Sequence, residues 1–380
     1  MAQEKLTILH ILGDYKFYLS VSAIFDQSKY YNNVYVYKTR NKKNIECKKI
    51  EERAKNVIIS EHYHEILSII QTRNIDIVYF HGLAVSRWKF VSEIPKSKIV
   101  IWWAWGFDLY ENYGFIPPLI EVETYKPLTK KLYIKRRKIN ILNVLRYIAS
   151  IYFAFYKDGA MSNISYVQTV LDEEFPLIKA HSSLSHIKRF YAPSINIPTD
   201  FTNRGEVGYI LVGNSAIPSN NHLDIIESLS KLDLTDRTVI MPVSYGEKEY
   251  RMFLKKKVCK SVYPFSVNLL EDFMSPREYD EVFKNISHAI FGVTRQKAIG
   301  NIRLCLTHGI KVFLYRDSIP FIDLRRHGYI IFSIEDDLTK DALSTPLTRD
   351  EACHNFNLWV RYNKENSIKA DDVAKQLLCG

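Results

Sequence analysis

Three small or polar residues, Gly213-Asn-Ser215, interrupt the chain directly after the apolar run Tyr209–Val212. The run predicts a buried strand, and Pro218-Ser-Asn220 predicts the start of a helix. A strand, a small-residue turn and a helix N-terminus form a concavity whose backbone N–H groups and helix dipole favour an anion. The residues predicted to hold a phosphate or diphosphate there are Gly213, Asn214, Ser215, Asn221 and His222. An ordinary strand-to-helix loop would also fit Gly-Asn-Ser, and His222 could simply cap the helix.

Two more turns in the second half of the chain add an aromatic side chain and cations. Tyr245 follows the apolar run Thr238–Pro242, and Arg295 follows the run His288–Val293. A guanidinium binds phosphate through two parallel hydrogen bonds, so Arg295 is the predicted partner of a diphosphate. Gly300, near the start of the next helix, would let backbone approach a phosphate. Alternatively, Arg295 is a surface residue and Gly300 only relaxes a turn.

A group-transfer reaction also needs a base for the acceptor hydroxyl. Asp14, His81 and Asp108 each follow a predicted strand in the first half of the chain, and they are the catalytic candidates. Asp108 could equally cap a helix that begins at Leu109, and Asp14 could form a turn. The sequence contains no Asp-x-Asp motif, so we predict no metal site and no cofactor; cations and backbone N–H groups would neutralise the leaving group.

Strands alternate with helices along most of the chain, which predicts parallel, doubly wound sheets. Ligands bind beyond the carboxyl ends of the strands in such sheets. The 380 residues are too many for one compact core, and a polar, proline-containing stretch near 198–205 suggests a linker. We predict an N-terminal domain over 1–198, a C-terminal domain over 206–348, and a helix over 349–380 that packs back on the N-terminal domain. Glycosyltransferases, phosphorylases and epimerases share this two-domain α/β outline, so fold alone does not decide the chemistry.

Lysine and arginine exceed aspartate and glutamate by 52 − 42 = 10, which indicates an anionic partner or surface. Five dispersed cysteines favour neither a disulfide framework nor a zinc site. No signal peptide and no transmembrane span is predicted. No nucleic-acid-binding motif accompanies the basic charge, so we predict no nucleic-acid partner.

The segment 130–157 carries basic residues and no acidic residue before Asp158. It also has apolar residues at helical spacing, namely Ile141, Leu145, Ile148, Tyr152 and Phe155. A basic amphipathic helix with aromatic residues is typical of a segment that lies in an anionic membrane interface. The alternative is a core helix with a basic, solvated end.

Several of these stretches recur together in one family. They are His81-Gly82, Trp105-Gly-Phe-Asp-Leu-Tyr110, Val212-Gly-Asn-Ser215 with Ser219-Asn-Asn-His222, Met241-Pro-Val-Ser-Tyr-Gly246, and Arg295-Gln-Lys-Ala-Ile-Gly300. The chain resembles the bacterial TDP-N-acetylfucosamine:lipid II N-acetylfucosaminyltransferases, the 4-alpha-L-fucosyltransferases of glycosyltransferase family 56. The resemblance extends from about Ile8 to about Asp337.

This resemblance implies a GT-B fold, in which two Rossmann-like domains face a cleft. It implies a TDP-sugar donor in the C-terminal domain and a polyprenyl-diphosphate-linked saccharide as acceptor, with the enzyme bound peripherally at the cytoplasmic face of the bacterial inner membrane. In enterobacterial relatives the product feeds enterobacterial common antigen. The rival interpretations are another nucleotide-sugar enzyme, an epimerase or a phosphorylase, and a non-catalytic protein that binds membranes or polyanions.

Overall fold

The computed structural model describes residues 5–13, 16–41, 47, 50, 57–136, 141–193, 201 and 208–379, and the structural statements below refer to these ranges. The chain divides into two compact units. The N-terminal unit comprises Met1–Glu121, Asn140–Ile197 and Tyr362–Gly380. The C-terminal unit comprises Val122–Ile139 and Pro198–Arg361.

Among the described residues, the N-terminal unit has one parallel sheet in the order β3-β2-β1-β4-β5-β6-β7. Its strands are β1 Leu6–Leu12, β2 Tyr31–Lys38, β3 Val57–Ser60, β4 Ile77–His81, β5 Ile99–Trp103, β6 Tyr166–Gln168 and β7 Lys188–Arg189. The described part of the C-terminal unit has a second parallel sheet in the order β10-β9-β8-β11-β12-β13. Its strands are β8 Tyr209–Val212, β9 Thr238–Pro242, β10 Ser266–Leu270, β11 Ile286–Phe291, β12 Lys311–Leu314 and β13 Phe332–Ser333.

Helices connect these strands on both faces of each sheet, as parallel strands require. In chain order they are α1 Lys16–Phe25, α2 Tyr63–Thr72, α3 Trp88–Glu93, α4 Gly106–Tyr110, α5 Pro127–Leu132, α6 Ile141–Ala154, α7 Lys157–Asn163, α8 Glu174–Lys179, α9 His222–Ser230, α10 Lys248–Lys260, α11 Pro276–Phe283, α12 Ile299–Thr307, α13 Ile319–Arg326, α14 Lys340–Ser344 and α15 Arg349–Cys379. Short 3₁₀ turns span Val85–Arg87, Ile134–Arg136, Ser182–Leu184 and Pro218–Asn220.

In each sheet the first strand lies near the middle, and the order in which later strands are added changes direction beside it. Both sheets are therefore doubly wound, as in the Rossmann fold. The prediction of two Rossmann-like α/β domains is confirmed. The winding reverses between β1 and β4 in one unit and between β8 and β11 in the other. Because ligands bind at such switch points, the loops after these four strands are where the site residues should lie.

The buried strands explain why the sequence shows apolar runs rather than alternation. In β8, Ile210 and Val212 pack into one core cluster with Leu223 and Ile226 of α9, whereas Leu211 packs into another cluster on the opposite face. A strand covered by helices on both faces buries every side chain, which requires a continuous apolar run.

The structure corrects the predicted boundary of the N-terminal domain, because 122–139 belongs to the C-terminal unit. Asn221 and Asp224, near the start of α9, hold this segment through its backbone. The carboxylate of Asp224 accepts hydrogen bonds from the N–H groups of Leu128 and Thr129 at 2.8 and 3.0 Å. Tyr133 then packs edge-on against Tyr250 with ring centroids 4.8 Å apart. The domain predicted over 1–198 is therefore interrupted.

The C-terminal helix is shared between the two units. Helix α15 runs from Arg349 to Cys379, and its residues divide between the units at Arg361 and Tyr362. In the N-terminal unit, Tyr362 donates a hydrogen bond to Asp172 at 3.0 Å, and Ala374 is buried in the core beside β1 and β2. The part of the helix from Tyr362 onward thus belongs to the N-terminal unit.

The segment predicted as one basic amphipathic helix, 130–157, is two pieces in two units. Helix α5 and its following turn lie in the C-terminal unit, whereas α6 lies in the N-terminal unit. Arg137 and Lys138 fall outside the described residues. Lys130 forms an ion pair with Glu123 at 3.0 Å, so part of the predicted basic run is neutralised locally.

Helix α6 keeps the predicted apolar stripe, but the stripe lies on the surface rather than in the core. The side chains that are at least half exposed on and just after this helix are Val144, Leu145, Tyr147, Ile148, Ile151, Tyr152 and Phe155, and Phe155 reaches 92%. The side chain of Ile141 lies outside the described set. No helix among the described residues is long and apolar enough to span a bilayer.

Candidate active site

In the C-terminal unit, the loops after β8 and β11 are joined by direct hydrogen bonds. Gly213 N–H donates to the carbonyl of Ile290 at 3.0 Å, and Asn221 Nδ2 donates to the carbonyl of Gly292 at 2.7 Å. Gly292 packs so closely that an added Cβ would lie 2.5 Å from the carbonyl oxygen of Asn220. The structure therefore places the Gly213–Ser215 turn and the loop leading to Arg295 side by side at the switch point.

Tyr245, which follows β9, joins the same edge. The amide Nδ2 of Asn214 donates to the Tyr245 hydroxyl at 3.0 Å, and the N–H of Ala216 donates to the Tyr245 carbonyl at 2.8 Å. The Ser215 hydroxyl donates in turn to Oδ1 of Asn214 at 3.3 Å. Tyr245 is 56% exposed, so its ring is available for contact with a ligand beside this turn.

Buried polar atoms without a hydrogen-bond partner among the described residues cluster along these two loops. They are Ser219 Oγ, Asn220 Oδ1, His222 Nε2, Thr294 Oγ1 and Gln296 Oε1. Leaving a buried polar atom unpaired costs about 1–3 kcal/mol, so such a cluster is unusual in a purely structural loop. Four of these residues were not predicted from the sequence, and the pairing of β8 with β11 is what brings them together.

His222 is buried, and its Nδ1 lies 3.2 Å from the Tyr250 hydroxyl. Burial, and secondarily the charge of Lys297, lowers the pKa of His222 to about 3. The imidazole is therefore neutral at physiological pH and offers a hydrogen bond rather than a positive charge. It is the first residue of α9, whereas the cap is Asn221 in the left-handed conformation.

Asn221 is a correction to the predicted phosphate site, because its amide is used inside the protein. Nδ2 donates to the carbonyls of Thr124 and Gly292, and Oδ1 accepts from the N–H of Lys126 at 2.9 Å. Asp224 also accepts hydrogen bonds from the backbone of α5, at Leu128 and Thr129. The start of α9 is therefore covered by α5 and the residues before it. Asn221 thus positions the loop.

Arg295 is buried to 7% exposure in the loop after β11, which excludes the alternative of a freely solvated surface arginine. Gly300 lies in the first turn of α12, is exposed, and has no atom within 4 Å of the place where a Cβ would be. The structure therefore gives no support to close packing at Gly300. The first N–H groups of α12 have no partner within the helix and can face an anion.

Gly213 and Gly300 provide a matched pair of stability predictions. Gly213 has φ +68°, and a Cβ there would lie 2.6 Å from Nε2 of buried His222. Gly213→Ala should lower the free energy of unfolding by about 1–3 kcal/mol, since it adds left-handed strain and displaces the imidazole. Gly300→Ala should be neutral or stabilising by up to about 1 kcal/mol. Urea unfolding measures both, and equal midpoints would contradict the strained turn.

In the N-terminal unit, His81 ends β4 and takes part in a directed hydrogen-bond chain. Asn33 Nδ2 donates to Asp26 at 3.1 Å, so Asn33 Oδ1 accepts from His10 Nε2, also at 3.1 Å. His10 Nδ1 must then accept the Nε2 proton of His81 at 3.0 Å. This order leaves Nδ1 of His81 as a lone-pair acceptor, and it has no hydrogen-bond partner among the described residues.

The imidazoles of His10 and His81, which form this hydrogen-bond chain, are both buried and neutral. Burial lowers the pKa of His10 to about 3, and burial together with His10 and Arg87 lowers the pKa of His81 well below its usual value. The sequence identified His81 from its place after a strand. It did not identify His10, which lies two residues before the end of β1 and reaches His81 only through strand pairing.

Asp108 lies in the first turn of α4, which begins at Gly106 and not at Leu109, and it has features of an acid–base group. Its Oδ2 accepts from Leu83 N–H, Trp102 Nε1–H and Trp105 N–H at 3.0, 2.9 and 3.1 Å. Its Oδ1 is buried without a hydrogen-bond partner in the described part of the chain. Burial raises the pKa of Asp108 to about 6, although these three donors and Arg87 act in the opposite direction. Oδ1 is thus a carboxylate oxygen that can accept a proton near neutral pH.

Arg87 is a site residue that the sequence did not indicate, because its short helical stretch carries no motif. The guanidinium is buried and donates to the carbonyl of Gly82 at 2.6 Å. A Cβ at Gly13 would lie 2.6 Å from its Nη2, so Arg87 fills the switch point between β1 and β4. Asp14, the third catalytic candidate, lies outside the described residues.

Within the described ranges, no group of three histidine, cysteine or acidic side chains lies together in a way that could hold a metal ion. Metal-independent action stays a prediction.

Residues 166–350 match the model of the 4-alpha-L-fucosyltransferases, glycosyl transferase group 56. The protein is a glycosyltransferase. The family resemblance expected from the motifs is confirmed over these residues, which include Gly213–Ser215, Tyr245, Arg295 and Gly300. His81 and Asp108 lie before the matched stretch.

Solved structures of similar fold support the assignment of the fold. Sucrose-phosphate synthase from Thermosynechococcus elongatus has a TM-score of 0.61 and 8% identity, and the alignment covers 99% of this chain and 100% of that one. HepE from Anabaena, in complex with UDP, has a TM-score of 0.53 and 12% identity, with 99% and 96% of the two chains covered. These are GT-B glycosyltransferases, and this glycosyltransferase has the GT-B fold.

Proposed function

We propose that this glycosyltransferase moves a fucosamine-type deoxyamino sugar from a TDP-sugar donor to a polyprenyl-diphosphate-linked saccharide in the synthesis of a surface polysaccharide. The observation that carries the proposal is the polar edge of the C-terminal unit. There, Gly213–Ser215 and buried Arg295 lie beside a cluster of buried polar atoms that have no hydrogen-bond partner among the described residues, all within the stretch that matches the 4-alpha-L-fucosyltransferases.

For the donor, the backbone at Gly213–Ser215, the start of α12 and the charge of Arg295 would hold the diphosphate. Arg295 would neutralise the leaving nucleoside diphosphate, with Lys297 adding charge nearby. Tyr245 and the neutral imidazole of His222 would complete the site. The UDP complex of HepE supports a nucleotide-sugar donor, and the family resemblance supports TDP.

Thermal unfolding with TDP and with UDP tests the donor assignment. At a TDP concentration 100-fold above Kd, the native state gains about 2.7 kcal/mol, which appears as a higher Tm. TDP should raise Tm more than UDP at equal concentration. Absence of stabilisation by any nucleoside diphosphate would instead favour a non-catalytic membrane-binding or polyanion-binding protein. Product analysis separates the other rivals, since only a transferase needs an acceptor.

For the acceptor, Asp108 is the proposed base. Its pKa is raised, its Oδ1 accepts no hydrogen bond from the described residues, and it lines a cavity of the N-terminal unit, whereas His81 is not among the residues that line this cavity. Helix α6 is the proposed membrane contact, because its apolar face is exposed and Lys89 and Lys157 lie near its C-terminal end. Amphipathic helices of this kind lie in the membrane interface with the apolar face inward. We place the enzyme at the cytoplasmic face of the inner membrane on this basis and on the family resemblance.

Replacing exposed apolar residues of this face should release the protein from vesicles. Burying one such side chain contributes about 1.5–3 kcal/mol, so Ile148→Asp with Phe155→Asp should weaken binding to anionic vesicles at least about 10-fold. Lys130→Gln with Lys131→Gln, in the C-terminal unit, is the matched control and should change binding little. Flotation with vesicles of phosphatidylglycerol and phosphatidylethanolamine measures both, and undiminished flotation of the first variant would refute the membrane contact.

A further inference from the structure

One cavity lies entirely within the N-terminal unit, between α6, α4 and the turn before α3. It has a volume of about 220 Å³, and the lining side chains that matter here are Trp88, Trp102, Asp108, Tyr113, Arg146 and Lys157. Drug-sized ligands usually occupy pockets of about 300–1,000 Å³, so this cavity suits a smaller group such as a single sugar ring.

The interior of this cavity is aromatic and has one polar atom in need of a partner. Trp88 and Trp102 are buried, and such flat apolar surfaces suit the apolar face of a pyranose ring. Oδ1 of Asp108 is buried and accepts no hydrogen bond from the described residues. A sugar hydroxyl would supply the missing donor.

The two cations of the lining lie where the cavity meets solvent. Arg146 is exposed and Lys157 is partly exposed, and the Arg146 guanidinium lies over the ring of Tyr113, 5.4 Å from its centroid. The acidic residues of the lining are Asp108 in the interior and Glu111. A guanidinium and an ammonium at an opening favour a diphosphate more than they favour a neutral sugar.

The same helix that supplies Arg146 also carries the exposed apolar face. Leu145 and Tyr147 flank Arg146 in sequence and are each more than half exposed, and Ile148 and Ile151 continue the face. When this face lies in a membrane interface, Arg146 is held at the depth of the lipid phosphates. The sugar-sized cavity, the two cations and the apolar face therefore follow one another in the same order as the saccharide, the diphosphate and the lipid of a lipid-linked saccharide.

We propose that this cavity is the acceptor site: the saccharide of a lipid-linked acceptor lies in the cavity beside Asp108, its diphosphate pairs with Arg146 and Lys157, and its lipid lies along α6. The inference rests on the proposed function for the choice of acceptor class. It adds the location of the acceptor and two residues that the sequence did not single out for this role.

Binding of a soluble acceptor analogue, measured by calorimetry without any donor, tests this site. The probe is farnesyl-diphospho-N-acetylglucosamine, and the variant is Arg146→Gln with Lys157→Gln. Loss of two charge-assisted contacts should weaken binding at least about 10-fold, and Arg146→Lys with native Lys157 should lose much less. Lys130→Gln with Lys131→Gln is the control of equal charge change and should bind as wild type. Inorganic diphosphate should bind far more weakly than the probe.

Two results would overturn the acceptor site. One is the absence of probe binding by the wild-type protein. The other is binding by the Arg146/Lys157 variant that equals wild type while both unfold at the same temperature. Failure of the proposed function looks different: the probe binds and the variant weakens it, but no nucleotide sugar yields a transferred product.

Discussion

Replacing Asp108 with asparagine should reduce the rate of sugar transfer about 10²–10⁴-fold, the usual contribution of a positioned general base. The asparagine Oδ1 can accept the three hydrogen bonds that Oδ2 now accepts from Leu83, Trp102 and Trp105, so the fold should persist. In this orientation the NH2 group of asparagine replaces Oδ1 of Asp108, the carboxylate oxygen without a hydrogen-bond partner among the described residues, so the variant lacks the atom that would accept the proton. Steady-state kinetics with a saturating donor measures the loss, and circular dichroism checks the fold.

The pH dependence gives this prediction a second readout. Burial raises the pKa of Asp108 to about 6, so the reactive ionised form is lost as pH falls. The wild-type kcat/KM should fall about tenfold per pH unit below pH 6 and be flat above it, and Asp108→Asn should lack this limb. The raised pKa also means that the native state binds this proton more tightly than the unfolded state. The contribution of Asp108 to stability therefore decreases as pH rises from about 4 to about 6.

His81→Gln is the comparison that separates the two candidate bases. The hydrogen-bond chain from Asp26 through Asn33 and His10 leaves His81 with an acceptor nitrogen, so His81 is chemically able to be the base. If Asp108→Asn keeps activity within a few-fold of wild type while His81→Gln abolishes it in a folded protein, the assignment to Asp108 is wrong.

Arg295→Ala should reduce kcat/KM for the donor about 10²–10³-fold, which is typical when a group that stabilises developing negative charge is removed. Stabilisation by TDP should fall in parallel, because the same charge pairs with the ground-state diphosphate. Arg295→Lys should recover part of the activity, since lysine keeps the charge but not the bidentate geometry.

Arg316 offers a matched control for Arg295. It follows β12 at the same edge of the sheet, but its guanidinium pairs with both oxygens of Asp336 at 2.9–3.0 Å and is half exposed. Surface ion pairs of this kind contribute little. Arg316→Ala should therefore leave turnover nearly unchanged. Near-normal donor turnover in Arg295→Ala, or an equal loss in Arg316→Ala, would remove the special role of Arg295.

The sequence predicted those parts of the site that follow from local pattern. An apolar run, a Gly-Asn-Ser turn and a new helix were enough to place Gly213–Ser215 beyond a buried strand, and the structure shows that arrangement. The same holds for Arg295 after β11. Parallel strands force the loops at their carboxyl ends onto one edge, so position in the chain predicted position in space.

Contacts between distant residues could not be predicted this way. The amide of Asn221 binds the backbone of Thr124 and Lys126, almost 100 residues earlier in the chain, and nothing in its neighbourhood reveals this. The same contacts, with those of Asp224, draw 122–139 into the C-terminal unit. They explain why a continuous basic stretch in the sequence became two separate pieces of structure.

Strand register accounts for the residues that were missed in the N-terminal unit. His10 and Arg87 have no motif, and they meet His81 and Gly13 only because β1 pairs with β4 and the next turn folds over that pair. Helix α6 is the opposite case, in which the sequence pattern was clear but its place in the fold was not. Its apolar spacing was evident, but spacing alone cannot distinguish a face that packs into a core from one that remains on the surface.

A single transfer reaction followed by mass spectrometry tests the proposed sugar transfer most directly. The wild-type protein is incubated with farnesyl-diphospho-N-acetylglucosamine and, in turn, with TDP- and UDP-linked deoxyamino sugars and common hexoses. We expect an acceptor heavier by one deoxyamino sugar, formed together with an equal amount of TDP, and much less product from the UDP donors. Nucleotide release without a glycosylated acceptor, or a free epimerised sugar nucleotide as the only product, would contradict it.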